Sequence, residues 1–233
     1  MRFDIRRLET TVSTNDDAKR AAEAGAPEGL VIWALQQDAG RGRQGRVWYS
    51  PPGNLYCSLL LRPKVERRDY GKFSFAAALA VRAVVASALP CATVELKWPN
   101  DVLVNGKKIS GILLEAGEDW LVVGVGLNVL HAPENPLYPV TRLAAEAAEV
   151  PALDQLLDKL LKELDFWSGV CVAQGFAPLR EAWLAHARKS AMRVRLPNEE
   201  LNGEFADLDA DGNLRLLLPN GTTRSISAGD VFF

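Results

Sequence analysis

Runs of apolar residues with alternating and continuous patterns predict a chain built mainly from strands, with helices between them. The segment FDIRRL (3–8) is typical of an edge strand, LVIWALQQ (30–37) of a strand that leads into an Arg/Gly loop, and LYCSLLLRP (55–63) of a largely buried strand. A helix is predicted from about Asp16 to a stop at Gly25. The Ala-rich run from about Lys72 to Leu89 is apolar on most sides, which predicts a long helix packed on the sheet.

The second half of the pattern predicts a meander, three helices and a separate small unit. The dipeptide NG at 105–106 and the GED turn at 117–119 predict two hairpins within residues 94–130. Helices are predicted at about 141–149, 154–168 and 176–187. From about Met192 the chain shows only short strands and the turns NG, DADGN and PNG, which favour a small β-barrel. We therefore expect a boundary near Ser190, with domains at 1–189 and 190–233.

Composition indicates an ordinary globular protein. The chain has 233 residues, of which 48% are hydrophobic and 24% charged, and its longest apolar run is broken by Arg82. No secretory or membrane-spanning segment is predicted, so we expect a cytoplasmic location. Cys57, Cys91 and Cys171 lack metal-site spacing and are expected to be reduced core residues. The only two histidines are far apart in sequence, which disfavours a zinc site or a histidine-based triad.

The distribution of charge indicates an anionic ligand for the central segment. The net charge of −2 argues against general nucleic-acid binding. Residues 40–110, however, contain twelve Lys or Arg and only four Asp or Glu. The excess begins in QQDAGRGRQGRVW (36–48), where glycines let the backbone approach a ligand and alternate arginines reach outward. Ordering such a loop is costly, so we expect an anion to order it on binding. A basic solvated turn or an RGG-like nucleic-acid segment would also fit this loop alone.

Three further motifs accompany the loop. STN (13–15) fits a helix N-cap, because Thr14 and Asp17 have capping-box spacing. KWPND (97–101) ends a strand with a lysine and an Asn-Asp turn, and GVGLN (124–128) breaks a strand with glycines before an amide. Each has a structural interpretation by itself: a cap, a surface lysine beside a turn, and a bulge with a capping asparagine. Their joint occurrence in this order points to one shared site.

Together these motifs, with GNLYCSLLLRP, KWPNDVLVNGKKISGILLE and VVGVGLNV, resemble the biotin protein ligases. The resemblance implies an α+β fold: a class II synthetase-like catalytic domain, with a mixed, mostly antiparallel sheet flanked by helices, and a small C-terminal SH3-like β-barrel. It implies that biotin is the substrate and that ATP with Mg²⁺ activates it to biotinyl-5′-adenylate. Biotin then passes to a lysine of a biotin carboxyl carrier domain of a carboxylase. Ala191 and Met192 depart from the family, which often has glycine there, and HAPENPLYPVTRL (131–143) looks particular to this chain.

The resemblance also implies roles for individual residues. Arg43 and Lys97 are the expected catalytic residues. The expected biotin-binding set is Ser13, Thr14, Asn15, Gln37, Arg41, Gly42, Arg43 and Lys97. The expected ATP and adenylate-binding set is Arg43, Arg46, Trp48, Lys97 and Asn128. It identifies no Mg²⁺ ligand on this chain.

The carrier domain is the one macromolecular partner that the motifs imply. The chain starts with the edge strand before STN, so we expect no helix-turn-helix module, no DNA partner and no membrane partner; a homodimer stays possible. A lipoate or octanoyl ligase would share the architecture, but its glycine-rich signature ending in histidine is absent. A nucleic-acid-binding module or a non-catalytic biotin-binding protein would each fit part of the pattern. Oligonucleotide gel shifts and ATP-dependent pyrophosphate release distinguish these two from a ligase.

Overall fold

The main sheet of the computed structural model, which describes residues 1–134, 136 and 138–233, has seven strands. Their spatial order is β1-β2-β3-β7-β6-β5-β4, and β1 and β2 form the single parallel pair within it. A parallel pair needs a crossover, which helix α1 provides. The strands are β1 Asp4–Thr11, β2 Leu30–Gln37, β3 Leu55–Leu61, β4 Val94–Lys97, β5 Asp101–Val104, β6 Lys107–Ala116 and β7 Leu121–Leu127.

Helices cover both faces of this sheet. They are α1 Thr14–Glu23, α2 Phe73–Ala88, α3 Leu143–Glu146, α4 Leu153–Gln174 and α5 Phe176–Ala185. Helix α2 packs on β4 to β7 and is itself covered by α4 and α5, which explains why it is apolar on most sides. Residues 67–88 are long and apolar enough to span a membrane by length and composition, but 56% of the apolar 18-residue segment within them is buried inside the protein. Alternation along β2 places Val31 and Trp33 in the large core cluster on one face of the sheet, and Leu30 and Ile32 in the smaller cluster beneath α1.

The second sheet consists of five antiparallel strands in the order β11-β10-β9-β8-β12. Its strands are β8 Ala191–Arg195, β9 Glu200–Leu208, β10 Leu214–Leu217, β11 Thr223–Ile226 and β12 Asp230–Phe232. Trp183 of α5 lies 6.1 Å from the ring of Phe205, so this sheet shares a core with the helical layer. The indole N–H of Trp98, in the KWPND turn, donates a hydrogen bond of 3.0 Å to the Gly212 carbonyl. The tip of the β9–β10 hairpin is thereby joined to the first sheet.

The predicted α+β fold is confirmed, and the observed helices differ from the predicted ones mainly at their ends. Both hairpins form as predicted, and α4 continues to Gln174, where Gly175 takes a φ of 75°. The helix predicted at 141–149 is confined to α3, because the chain before it stays extended: Thr141 N–H donates to the Lys108 carbonyl. Within the 131–143 segment, residues 135 and 137 lie outside the described residues.

The expectation of three core cysteines was wrong for Cys91. It lies in the connection after α2 and is exposed, whereas Cys57 and Cys171 are buried. Burial raises the pKa of the Cys57 thiol to about 12 and that of Cys171 to about 11. These two thiols therefore stay protonated and unreactive at neutral pH.

Candidate active site

A cavity of about 940 Å³, including its open mouth, lies between the two sheets. The sequence motifs meet there because the N-terminus of α1, the loop after β2, the β4–β5 turn and strand β7 converge, and β12 closes the far side. Ten of the predicted site residues line it: Ser13, Thr14, Asn15, Gln37, Arg41, Gly42, Arg43, Arg46, Trp48 and Lys97. Asn128 does not line it. Its buried side chain donates instead to the Thr141 carbonyl at 3.0 Å.

At one end of the cavity, buried polar side chains fix one another's orientation. Ser58 Oγ lies 2.6 Å from Asn15 Oδ1, which can only accept, so Ser58 donates there. Asn15 Nδ2 donates to Glu115 Oε2 at 2.8 Å, and Lys19 holds the other Glu115 oxygen at 2.6 Å. A Cβ at Gly124 would lie 2.1 Å from Asn15 Oδ1, so glycine is required beneath this amide. The arrangement leaves the second Asn15 N–H available to a ligand.

Gln37 is oriented by a similar chain of donors. Its Oε1 accepts from the Thr14 backbone N–H at 2.9 Å, and its Nε2 donates to Ser50 Oγ at 3.0 Å. Ser50 in turn donates to the Trp48 carbonyl at 2.8 Å. The strand end at Gln37 and the loop residue Trp48 are therefore held together.

The indole of Trp48 lies on a surface made by two glycines. A Cβ at Gly126 would lie 2.5 Å from the indole, and one at Gly111 would lie 3.0 Å from it. Lys108 Nζ lies 5.3 Å from the ring centroid, which is cation–π distance. The indole N–H is buried and has no hydrogen-bond partner among the described residues. An unpaired buried donor costs about 1–3 kcal/mol, so a ligand acceptor beside Trp48 would be stabilising.

Three arginines of the loop after β2 contact neighbouring elements through their side chains. Arg41 makes two contacts with Asp16 of α1, the longer at 2.8 Å. Arg46 pairs with Asp230 of β12. Arg43 donates to Asn100 Oδ1 at 3.2 Å, and burial lowers the pKa of its guanidinium. Arg43 thus has an amide partner and no carboxylate within ion-pair distance among the described residues.

Lys97 and Lys108 share the carboxylate of Asp101. Asp101 lies 2.6 Å from Lys108 Nζ and 3.5 Å from Lys97 Nζ, and all three side chains are 11–12% exposed. Burial alone would raise the pKa of Asp101, but the two lysines outweigh it and hold that pKa below its ordinary value. Burial lowers the pKa of Lys97. The pair therefore carries one positive charge beyond what Asp101 neutralises.

The cavity as a whole has excess positive charge. Five cationic side chains line it, Arg41, Arg43, Arg46, Lys97 and Lys108, against the carboxylates of Asp101 and Asp230. Counting Asp16, which pairs with Arg41 from outside, two positive charges remain without a carboxylate among the described residues. In a partly buried site this excess favours an anionic ligand.

Sequence reasoning missed several residues of this site. The motif KWPNDVLVNGKKISGILLE contains Lys108, Asp101 and Asn100, but the resemblance assigns a role only to its Lys97. Ser58 is the single polar position in the otherwise apolar strand β3, a signal that could have been used. Asp230 lies in the last strand and is brought to the cavity only by the fold.

Metal binding by the protein itself finds no support in the described part of the chain. No group of three or more His, Cys, Asp or Glu side chains is placed to hold a metal ion there. The acidic residues that line the cavity are paired with cations.

Comparison with known families defines the class of protein. The sequence model of the biotin/lipoate A/B protein ligase family matches residues 7–129, and that of the biotin protein ligase C-terminal domain matches residues 191–233. The fold and the cavity are therefore those of a cofactor–protein ligase.

Individual relatives narrow the class. A biotin–[acetyl-CoA-carboxylase] ligase of Paracoccus denitrificans is 37% identical over 97% of this chain and 99% of its own length. The enzyme of that name from Mycobacterium tuberculosis is 38% identical over 95% of this chain and 85% of its own length. The structure of the Aquifex aeolicus biotin protein ligase in complex with biotin and ATP matches with a TM-score of 0.86 and 27% identity, covering 98% of this chain and 97% of that one. This chain belongs to the biotin protein ligases.

Proposed function

We propose that this chain activates biotin with ATP to biotinyl-5′-adenylate and transfers biotin to a lysine of a biotin carboxyl carrier domain. The observation that carries the proposal is the division of one cavity into a neutral hydrogen-bonding end and a cationic end. Biotin has this same division, with a neutral ureido head and an anionic carboxylate. The relatives named above support the same activity.

The neutral end suits the ureido head. Thr14, Asn15 and Gln37 are buried or half-buried, and their proton directions are fixed by Ser58, Ser50 and Glu115. Fixed donors and acceptors recognise a neutral group at low ordering cost. Ser13, buried at the N-terminus of α1, adds a hydroxyl to this set.

The cationic end suits the first chemical step. A biotin carboxylate oxygen attacks the α-phosphorus of ATP, the bond from that phosphorus to the bridging oxygen breaks, and pyrophosphate leaves. Negative charge is concentrated in this transition state, and Lys97 with Arg43 stabilises it. Mg²⁺ enters with ATP as part of the substrate.

The second step needs a reactive anhydride that water does not reach. The deprotonated amine of the carrier lysine attacks the biotinyl carbonyl, the bond from that carbon to the AMP oxygen breaks, and AMP leaves. Arg41, Gly42 and Arg43 lie on the loop that lines the cavity, so closing this loop over the adenylate excludes water. Arg46 binds nucleotide phosphate, and Trp48 packs on adenine.

The glycine beneath Trp48 provides a test of the adenine site. We expect Gly126→Ala to displace the indole, because the new Cβ would lie 2.5 Å from it, and to weaken ATP binding about tenfold. Calorimetric titration of the variant with ATP measures this. Gly169→Ala on α4 is the matched control, since a Cβ there meets nothing within 4 Å. Unchanged ATP affinity in Gly126→Ala would contradict the placement of adenine against Trp48.

Asn128 supports the nucleotide site from behind the cavity wall through the Thr141 carbonyl. The catalytic domain spans 1–189 and the small barrel domain 190–233, in a cytoplasmic enzyme with no DNA partner. If two copies associate through an edge of the seven-stranded sheet, β1 is the available edge, because Leu96 of the other edge strand, β4, already pairs with residues 186 and 188.

A single assay tests the function. The protein is incubated with biotin, Mg-ATP and a biotin carboxyl carrier domain, and the carrier is probed with streptavidin. Label is expected only when ATP is present, and a carrier with its acceptor lysine changed to arginine stays unlabelled. Pyrophosphate release without carrier labelling would support adenylate formation but would contradict transfer to this carrier. Absence of both would contradict the proposal.

A further inference from the structure

Glu115 of β6 places a carboxylate directly behind the neutral end of the cavity. Residues two apart on a strand share a face, and Leu113 of β6 lines the cavity, so Glu115 lies on the same side of the sheet. One of its oxygens accepts from Asn15 Nδ2 at 2.8 Å, and the other meets Lys19 Nζ at 2.6 Å. The proposed chemistry does not use this carboxylate, and Lys19 already neutralises it. Its effect on the cavity therefore passes through Asn15.

A carboxylate accepts hydrogen bonds and donates none, which fixes the orientation of the Asn15 amide. Because Nδ2 faces Glu115, Oδ1 faces Ser58 at 2.6 Å and takes the single hydroxyl proton of Ser58. Ser58 Oγ also lies 2.8 Å from Thr14 Oγ1, and with its own proton committed it only accepts there. The Thr14 hydroxyl thus donates within the protein, to Ser58 or to Gln37 Oε1 at 3.1 Å.

The direction of this chain decides which atoms the cavity offers to a ligand. Thr14 and Asn15 both line the cavity. The Thr14 oxygen keeps a lone pair but has no proton left to donate, while Asn15 offers the second N–H of its amide. A cyclic urea has the complementary groups, with N–H donors beside a carbonyl oxygen that accepts. Thr14, Asn15 and Ser58 are all buried, so water would not compensate for a mismatched direction.

We propose that Glu115 is the positioning residue that sets the direction of the hydrogen-bond chain from Asn15 through Ser58 to Thr14, and thereby selects a ureido head group. The inference deepens the proposed function and rests on it. A glutamine in place of Glu115 could turn either its oxygen or its N–H toward Asn15, which would allow the Asn15 amide to turn over. The reversed chain would offer the ligand an acceptor where the parent offers a donor.

The experiment compares biotin with 2-iminobiotin, in which a protonated imino group replaces the ureido carbonyl and donates where biotin accepts. Dissociation constants of both ligands are measured by calorimetric titration at neutral pH without ATP. The parent is expected to prefer biotin. In Glu115→Gln we expect this preference to fall about tenfold, because a reversed Asn15 amide accepts from the imino group and no longer donates to the ureido oxygen.

The sign of the change separates this role from two others. If the charge of Glu115 acted directly on the ligand, its removal would weaken the cationic 2-iminobiotin more than biotin and widen the preference. A purely structural role would weaken both ligands equally. Desthiobiotin keeps the ureido group and should follow biotin in every variant. Glu118→Gln removes an exposed acid of the β6–β7 turn and is the matched control, which should keep the parental preference.

Ser58→Ala tests the same proposal without altering Glu115, and thermal unfolding of each variant is compared with that of the parent. The variant loses the donor to Asn15 Oδ1 while Glu115 still fixes the amide, so biotin should bind more weakly with the preference retained. A preference that narrows in Ser58→Ala, or that stays or widens in folded Glu115→Gln, overturns the positioning role alone. A parent that binds no biotin overturns the proposed function as well.

Discussion

Replacing Lys97 with alanine is expected to reduce the rate of adenylate formation by about a hundred- to a thousand-fold. The ammonium lies at the cavity wall, 12% exposed, and is the charge that Asp101 and Lys108 leave available to a phosphate. Losing it should remove stabilisation from the transition state more than from bound biotin, because the proposed site for the ureido head of biotin is at the other end of the cavity. Rapid-quench measurement with labelled biotin and saturating ATP gives the rate.

Two control variants test whether the loss of rate is due to the charge of Lys97. Lys97→Arg keeps the charge on a larger planar group, which restores part of the rate if charge is what matters. Lys64→Ala removes a lysine that does not line the cavity and should leave the rate unchanged. A Lys97→Ala variant with parental adenylation would exclude the proposed role of this lysine.

Replacing Arg43 with alanine is expected to release the adenylate about ten- to a hundred-fold faster than the parent does. Arg43 has no carboxylate partner among the described residues, and burial lowers the pKa of its guanidinium. A cation in this state gains most from an anionic ligand, so the adenylate phosphate is where its contribution is expected. Enzyme carrying labelled adenylate, separated from free ligand over time, gives the release rate.

Arg215→Ala is the matched control for Arg43, because Arg215 is an exposed arginine of β10 away from the cavity. It should retain adenylate as the parent does. Equal retention by Arg43→Ala and the parent would contradict closure of the arginine loop over the intermediate.

Sequence was sufficient for the features that depend on local pattern. The apolar run of β2, the NG hairpin and the Ala-rich run of α2 each carry a local composition or turn signal, and each element appears at nearly the expected place. Motif resemblance likewise identified ten residues that line one cavity, although they come from segments far apart in the chain.

What sequence could not supply depends on irregular or distant geometry. Regular alternation puts Lys108 on the wrong face of β6, and only the register shift at Val102/Leu103 reverses this. Asp230 meets Arg46 because the second sheet folds back over the cavity, which no local signal encodes. Asn128 was grouped with the nucleotide site from its motif, yet its side chain turns to Thr141, since a buried amide must satisfy its donors within the fold.

The contacts of Trp98 with Gly212 and of Arg46 with Asp230 mean that the two sheets are not interchangeable modules. A chimaera carrying the last forty or so residues of a relative would need an acidic side chain and a tightly turning hairpin tip at those same two places. We therefore expect a recombinant of two family members joined near residue 190 to fold only when its two parts preserve both of these contacts between the sheets.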